Sequence, residues 1–280
     1  MKISVGQISP TGDVAHNLEV MGRLAAHAAQ EGTELVLFPE ESMFTVKEVD
    51  GDFREAVARD WPIFVAGLAA IAEKNGLAVV AGGYEPNNGD RPYNTVAAFD
   101  AAGNELSTYR KIHLYDAFSY QESRTISAGD PEAVPIFTVG GLKFGVMTCY
   151  DIRFPEVARR LAVRGAEVIL VPAAWFKGDH KVEHWRTLLK ARAVENTVWV
   201  AAAGSSTDQT VGYSAILDPV AVAVDFLEDE REGLATADVS RKRIDEVREF
   251  LPVLVNRRIG VKSEIEAAKT ASLKIISGEA

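Results

Sequence analysis

Four short apolar runs constrain this chain more than anything else in it: Glu34 to Phe38 (ELVLF), Leu77 to Tyr84 (LAVVAGGY), Glu167 to Val171 (EVILV) and Thr197 to Ala203 (TVWVAAA). None alternates with polar residues, so the first three read as strands covered on both faces and the fourth as a further strand. Helical patterns stand beside them. Asn17 is placed to cap a helix running to about Gln30, with Leu18, Met21, Leu24, Ala25 and Ala28 on one face and Gly32 closing it. A second helix is expected from about Trp61 to Lys74, stopped by Asn75-Gly76, and another from Val182 to about Glu195 with Trp185, Leu188, Leu189 and Ala193 inward. Hairpins interrupt this series. Tyr93 to Phe99 pairs with Glu105 to Ile112 about Asp100 to Asn104, and Ile136 to Val139 pairs with Leu142 to Thr148 about Gly140-Gly141. Lys2 to Ile8 opens the chain as a strand. Tyr213 to Leu217, Val220 to Leu227 and Gly233 to Val239 follow late, before a helix capped by Ser240. Hairpins mixed with βα units exclude a purely parallel doubly wound sheet. Two sheets packed face to face with helices outside fit better, and the two similar series suggest internal pseudo-symmetry.

A chain of 280 residues with 47% hydrophobic content can fill such a core in one domain, and no repeat or Pro/Gly/Ser-rich linker divides it. We take residues 1–258 as that domain and 259–280 as a polar tail with a weak helical pattern. A net charge of −10 argues against nucleic acid or an anionic membrane as partner. No apolar run approaches a membrane span, and Met1 to Gln7 is unlike a secretory signal, so cytoplasm is the expected compartment. The long segment 113–134 has no regular pattern, and loops of that length are usually functional.

Chemistry is expected at the C-terminal edges of the strands. Glu40, Lys111 and Cys149 stand there, each ending or following an apolar run. Cys149 is the only cysteine, which excludes a disulfide framework and a multi-thiolate zinc site. It follows Lys143 to Met147 and precedes a segment with Phe154, Val157, Ala158 and Leu161 at helical spacing. A strand-to-helix corner suits a nucleophile because its backbone N–H groups can help form an oxyanion hole. Taken singly, Cys149 equally reads as a small buried hydrophobe, and Glu40 and Lys111 as solvated side chains. Glu41 reads as solvated. Of the five histidines, His16 and His27 lie in the first helix, and His113 reads as a supporting residue. His180 and His184 have metal-pair spacing but no third ligand of fitting spacing, so no metal is expected.

Three blocks in order, Pro39-Glu40, Tyr109 to Leu114 (YRKIHL) and Cys149 to Glu156 (CYDIRFPE), resemble the nitrilase superfamily of carbon–nitrogen hydrolases. Phe118 to Ser123 (FSYQES) with Gly129-Asp130, and Ala191 to Asn196 (ARAVEN), resemble two further blocks of that family. The resemblance spans residue 2 to about residue 258. It implies an α/β fold, an α-β-β-α sandwich of two mixed sheets with outer helices. It also implies a catalytic set of Glu40, Lys111 and Cys149, joined by Glu122. In that set Glu40 is the general base, and Lys111 with the Tyr150 N–H stabilises the oxyanion. Glu122 orients Lys111 or contacts the substrate amide. Arg153 and Glu156 help fix the corner, and Arg192, Glu195 and Asn196 form a structural network. Phe118, Tyr150, Trp175 and Phe176 are candidates to line the pocket.

The block after Cys149 resembles the amidase branches more than true nitrilases, and Tyr120-Gln121-Glu122-Ser123 resembles the omega-amidase group. That implies a hydrolase of small carboxamides working through a cysteine thioester, without metal or cofactor. In the omega-amidase group the substrate is a dicarboxylic acid monoamide, which needs an Arg or Lys in the pocket for its distal carboxylate. The alternatives are an N-carbamoyl amino-acid hydrolase, a nitrilase, or a silent binding protein on the same fold. Val220-Ala221 stand where the family's late hairpin often carries glycine. The resemblance also implies a homodimer, with the tail covering the partner.

Overall fold

The strict two-residue alternation of side chains along buried strands sorts the interior of this protein into three apolar layers. The computed structural model describes residues 1–49, 51–89, 91–228 and 232–260. In chain order the elements are β1 (Lys2–Gln7), α1 (Val14–Gln30), β2 (Leu35–Leu37), α2 (Phe53–Asn75), β3 (Ala78–Glu85), β4 (Tyr93–Phe99) and β5 (Glu105–Arg110). A short ribbon of β6 (Asp116–Ala117) and β7 (Tyr120–Gln121) follows. Then come β8 (Ile136–Val139), β9 (Leu142–Val146), α3 (Pro155–Val163), β10 (Val168–Ala173), α4 (Lys181–Val194), β11 (Trp199–Gly204), β12 (Ala215–Leu217), β13 (Ala223–Phe226), β14 (Gly233–Asp238) and α5 (Arg241–Phe250).

One sheet has the order β14-β1-β2-β3-β4-β5 and the other β13-β12-β11-β10-β9-β8. Read from β14 and from β8, both run antiparallel, parallel, parallel, antiparallel, antiparallel. The expected pseudo-symmetry is therefore present in the strand pairing. Ile3, Leu35, Leu37, Val80, Val168, Leu170, Trp199 and Ala201 fill the layer between the sheets. Their neighbours Val36, Val79 and Ala81 pack outward against α1 and α2. Ile169, Val171, Val200 and Ala202 pack outward against α3 and α4. Both faces of each central strand are thus apolar, which is why the runs are continuous. The architecture is the α-β-β-α sandwich.

Several boundaries differ from expectation for identifiable reasons. Asp13, not Asn17, caps α1: its Oδ1 accepts the Ala15 N–H at 2.9 Å and the His16 N–H at 3.3 Å. The Asn17 side chain is occupied elsewhere, accepting from Thr11 N at 2.9 Å and donating to Thr11 O at 2.9 Å and Met43 O at 3.1 Å. It thereby ties down the loop that follows Glu40. Helix α2 starts at Phe53, capped by Asp52, and runs through Pro62. A proline suits a first turn, so the sequence places the start beside it. In the folded chain Ala56, Val57 and Phe64 are buried, and that packing carries the helix past the proline. Two late strands start later than expected, β12 after Tyr213 at φ 53° and β13 after Ala221 at φ 68°. The segment 113–134 is not wholly irregular. Phe118 and Ser119, both at positive φ, close the β6–β7 hairpin, and a 3₁₀ turn covers Glu122–Arg124. Residues 261–280, and with them nearly all of the expected tail, lie outside the described residues.

Candidate active site

Glu40 is carried by a loop that crosses directly over β3. The Phe38 N–H continues the ladder to Val80 O at 2.8 Å, and the Gly82 N–H donates to Pro39 O at 3.0 Å. Only glycine fits beneath this loop, since a Cβ at Gly82 would lie 2.3 Å from Glu40 O. Lys111 extends β5 by one residue, its N–H donating to Asn94 O at 2.8 Å while its own carbonyl accepts from Gly129 N at 2.8 Å. Cys149 opens a 3₁₀ turn just beyond β9, with φ at +44°. That conformation strains a non-glycine residue by about 1–2 kcal/mol, so neighbouring contacts must hold it.

Asp151 is the principal holder. It is fully buried. Its Oδ2 accepts from Thr148 N at 2.9 Å and Tyr109 Oη at 2.7 Å. Its Oδ1 accepts from the His113 N–H at 2.9 Å and bonds His113 Nδ1 at 2.8 Å. One carboxylate thus joins the Cys149 turn to both flanks of Lys111. His113 also stacks on Phe154 at 3.7 Å. Arg192 Nε donates to Ile152 O at 2.9 Å, bracing the same turn from α4.

The four expected residues come together in a nearly sealed pocket, with relative exposures of 4% for Glu40, 2% for Lys111, 6% for Glu122 and 7% for Cys149. Lys111 Nζ donates to Glu40 Oε1 at 2.8 Å and Glu122 Oε2 at 2.9 Å. Asn94 Nδ2 bridges the same carboxylates, at 2.8 Å to Glu40 Oε1 and 3.1 Å to Glu122 Oε1. The Ala174 N–H, just past β10, donates to Glu40 Oε2 at 2.8 Å. The Tyr115 N–H donates to Glu122 Oε2 at 2.7 Å. The Cys149 thiol lies beside Glu40 and interacts with its carboxylate.

Burial works against charge on Glu40, Lys111 and Cys149, and their partners decide the outcome. Burial alone would raise the Glu40 carboxyl, but the Lys111 charge and hydrogen bond, with the Ala174 N–H, hold it below the usual range. Burial would lower Lys111, but Glu122 and Glu40 keep it well above its ordinary value. Burial and the Glu40 charge push the Cys149 thiol well up, against the opposing pull of Lys111. The resting site therefore holds a neutral thiol next to an ionised carboxylate and an ammonium.

The surrounding cleft is lined by Glu41, Tyr84, Tyr115, Tyr120, Trp175, Phe176 and Lys181 among others. Of the aromatic candidates, Trp175 and Phe176 are in this lining. The Tyr150 ring instead packs edge-on against Tyr115 at 5.1 Å and Phe154 at 5.4 Å, beside the cleft. Phe118 is 66% exposed and covers Lys181 at the mouth. Glu41 corrects the expectation of a solvated carboxylate. It accepts from Tyr84 Oη at 3.0 Å, and burial, with the Glu40 charge, raises its carboxyl to about 7. Asn94, Asp151 and Lys181 were not singled out from sequence. Asp151 had a signal, its place within the CYDIRFPE block. Asn94 and Lys181 had none. Among the described residues no group of three or more His, Cys, Asp or Glu is arranged to hold a metal, and no helix is long and apolar enough to cross a membrane.

A carbon-nitrogen hydrolase family model matches residues 2–249, so the chain belongs to the carbon–nitrogen hydrolase family. It is 38% identical to a deaminated glutathione amidase of Escherichia coli O157:H7, over 92% of this chain and 97% of that one. It is 32% identical to an omega-amidase of Danio rerio, over 92% and 94% of the two chains. Its fold matches a mutant of the amidase from Nesterenkonia sp. AN1 that carries the acetamide moiety of fluoroacetamide covalently on its active-site cysteine, with a TM-score of 0.79, 28% identity and coverage of 92% and 94%. The protein is a hydrolase acting on amide C–N bonds.

Proposed function

We propose that the protein converts a small linear carboxamide bearing a remote carboxylate into the acid and ammonia through a thioester on Cys149. As sulfur attacks the carbonyl carbon, the thiol proton passes to Glu40 and the carbonyl π electrons move to oxygen. The new oxyanion is met by Lys111 and the Tyr150 N–H. The depressed Glu40 carboxyl makes thiolate formation unfavourable at rest, so proton transfer is coupled to attack, when charge leaves sulfur for the oxyanion site. Collapse breaks the C–N bond, and Glu40 returns the proton to the departing nitrogen, releasing ammonia. Glu40 then takes a proton from water as its oxygen attacks the thioester. Collapse of that second intermediate expels sulfur, which recovers the proton, and the acid product leaves.

The observation that carries this reading is Glu40 Oε1 bonded to Lys111 at 2.8 Å, on a carboxylate whose charge also raises the Cys149 thiol. Glu122 completes the reading by holding Lys111 in place. The test is ammonia release across linear amides and N-carbamoyl acids, with mass spectrometry of the intact protein on a slow amide. An acyl-sized mass gain on the wild type, absent in Cys149→Ala along with turnover, is expected. Equal turnover by both proteins would overturn the mechanism, and carbon dioxide released with the ammonia would mark a carbamoyl substrate instead. Residues 1–258 act as one catalytic domain in this reading, in a homodimer within the cytoplasm, where a free thiol stays reduced. A monomer by sedimentation at micromolar concentration would refute the dimer.

A further inference from the structure

We propose that Lys181 is a specificity-determining residue that pairs with the carboxylate at the far end of the substrate's acyl chain. This rests on the amidase reading of the same cleft and names the group that selects among amides.

Two buried lysines line the cleft, and they are treated in opposite ways. Lys111 is neutralised by Glu40 and Glu122. Lys181, the first residue of α4, is 6% exposed and forms no ion pair among the described residues. Its Nζ donates to the neutral Tyr115 hydroxyl at 2.9 Å. Aromatic rings surround it: the centroid of Phe118 lies 3.9 Å from Nζ, Tyr115 5.2 Å and Trp175 5.6 Å. Rings stabilise an ammonium through their faces but supply no counter-charge. The backbone is held as well, since Trp175 Nε1 donates to Lys181 O at 2.8 Å. The amine is therefore positioned, dehydrated and short of an anion.

A second cation stands behind it. The Arg153 guanidinium lies 4.8 Å from the Trp175 centroid, with Nε and Nη2 buried and without hydrogen-bond partners. Burial, with the Arg153 charge, pulls the Lys181 pKa below its ordinary value, while Cys149 pulls it up. Burying an ammonium without a counter-charge is unfavourable, and a bound anion removes that cost. Glu40 and Glu122 line the same cleft around Lys111, and two carboxylates against one ammonium leave that end unfavourable for an anion. The Lys181 wall is therefore the place for a substrate carboxylate, which leaves the amide end for Cys149. Phe118 and Tyr120, on the β6–β7 hairpin, screen that pair from water.

The experiment measures kcat/KM for succinamate and for butyramide, a neutral amide of matched chain length, in wild type, Lys181→Met and Lys181→Arg. Wild type is expected to prefer succinamate. In Lys181→Met the ratio of succinamate to butyramide falls by roughly thirtyfold or more, the scale for truncating one member of a buried charge pair. Lys181→Arg restores part of the ratio because it keeps the charge. Succinate, which lacks an amide, inhibits wild type competitively and inhibits Lys181→Met far less. An equal fall for both amides would overturn the proposal, because a structural plug or a catalytic group would behave that way. So would an unchanged ratio, or a wild-type preference for butyramide. Absence of ammonia release from any amide by the wild type would sink the amidase reading itself and this inference with it.

Discussion

Glu41→Gln should stabilise the protein at alkaline pH and do little at acid pH. Glu41 is held at about 7 in the folded chain against 4.5 for a free carboxyl. Between those values the folded state keeps a proton that the unfolded chain releases, so stability is lost as pH rises. The sign is the reverse of that for a salt-bridged carboxylate, whose depressed pKa adds stability above acid pH. The full span corresponds to about 3 kcal/mol at 1.36 kcal/mol per pH unit. Part of the titration is already over near pH 5, and cleft water screens the rest, so about 2 kcal/mol should appear between roughly pH 5 and pH 8. Glutamine keeps the shape and the Tyr84 contact but does not titrate. Urea unfolding of both proteins at the two pH values isolates the effect, because every other titrating group is shared. The stability of Glu41→Gln relative to wild type should rise by that amount toward alkaline pH. The same difference at both pH values would show that Glu41 is ionised throughout and that burial beside Glu40 does not control it.

Two further perturbations test the frame around the site. Asp151→Asn turns one of two accepting oxygens into a donor, so either the Thr148 and Tyr109 bonds or the His113 bonds are lost, and it should cost about 2–4 kcal/mol in urea unfolding. It should also lower kcat more than it raises KM, because it loosens the strained turn at Cys149. Unchanged kcat would show that the turn holds itself. Ala221→Gly relieves a positive φ of 68° at the hairpin turn. It should raise unfolding stability by about 0.5–1 kcal/mol, left-handed strain outweighing glycine's added chain entropy, with turnover unaltered.

Much of this arrangement could be read from the chain. Leu35, Val36 and Leu37 are all buried because a strand covered on both faces leaves no position for a polar side chain, and that made the apolar runs visible. Glu40, Lys111 and Cys149 were visible because they interrupt or follow such runs at the strand ends where loops gather. The errors lie where local preference was ambiguous. Pro62 suits a helix start, yet packing of α2 on β3 outweighs it. Asn17 suits a cap, yet its amide bonds Thr11 and Met43.

The primary sequence by itself determined where a thiol, carboxylates and an ammonium stand in the chain, each at the end of a strand. Periodicity is local, and residue type is written directly in the chain. Only the tertiary structure decided their state. Glu40 meets Lys111 across 71 residues and the Ala174 N–H across 134. Asn94 and Asp151 gain their parts solely from what folds against them. Glu41 keeps its proton up to about pH 7, and Lys181 has no counter-ion among the described residues, because charge in a cleft depends on neighbours that no stretch of sequence brings together.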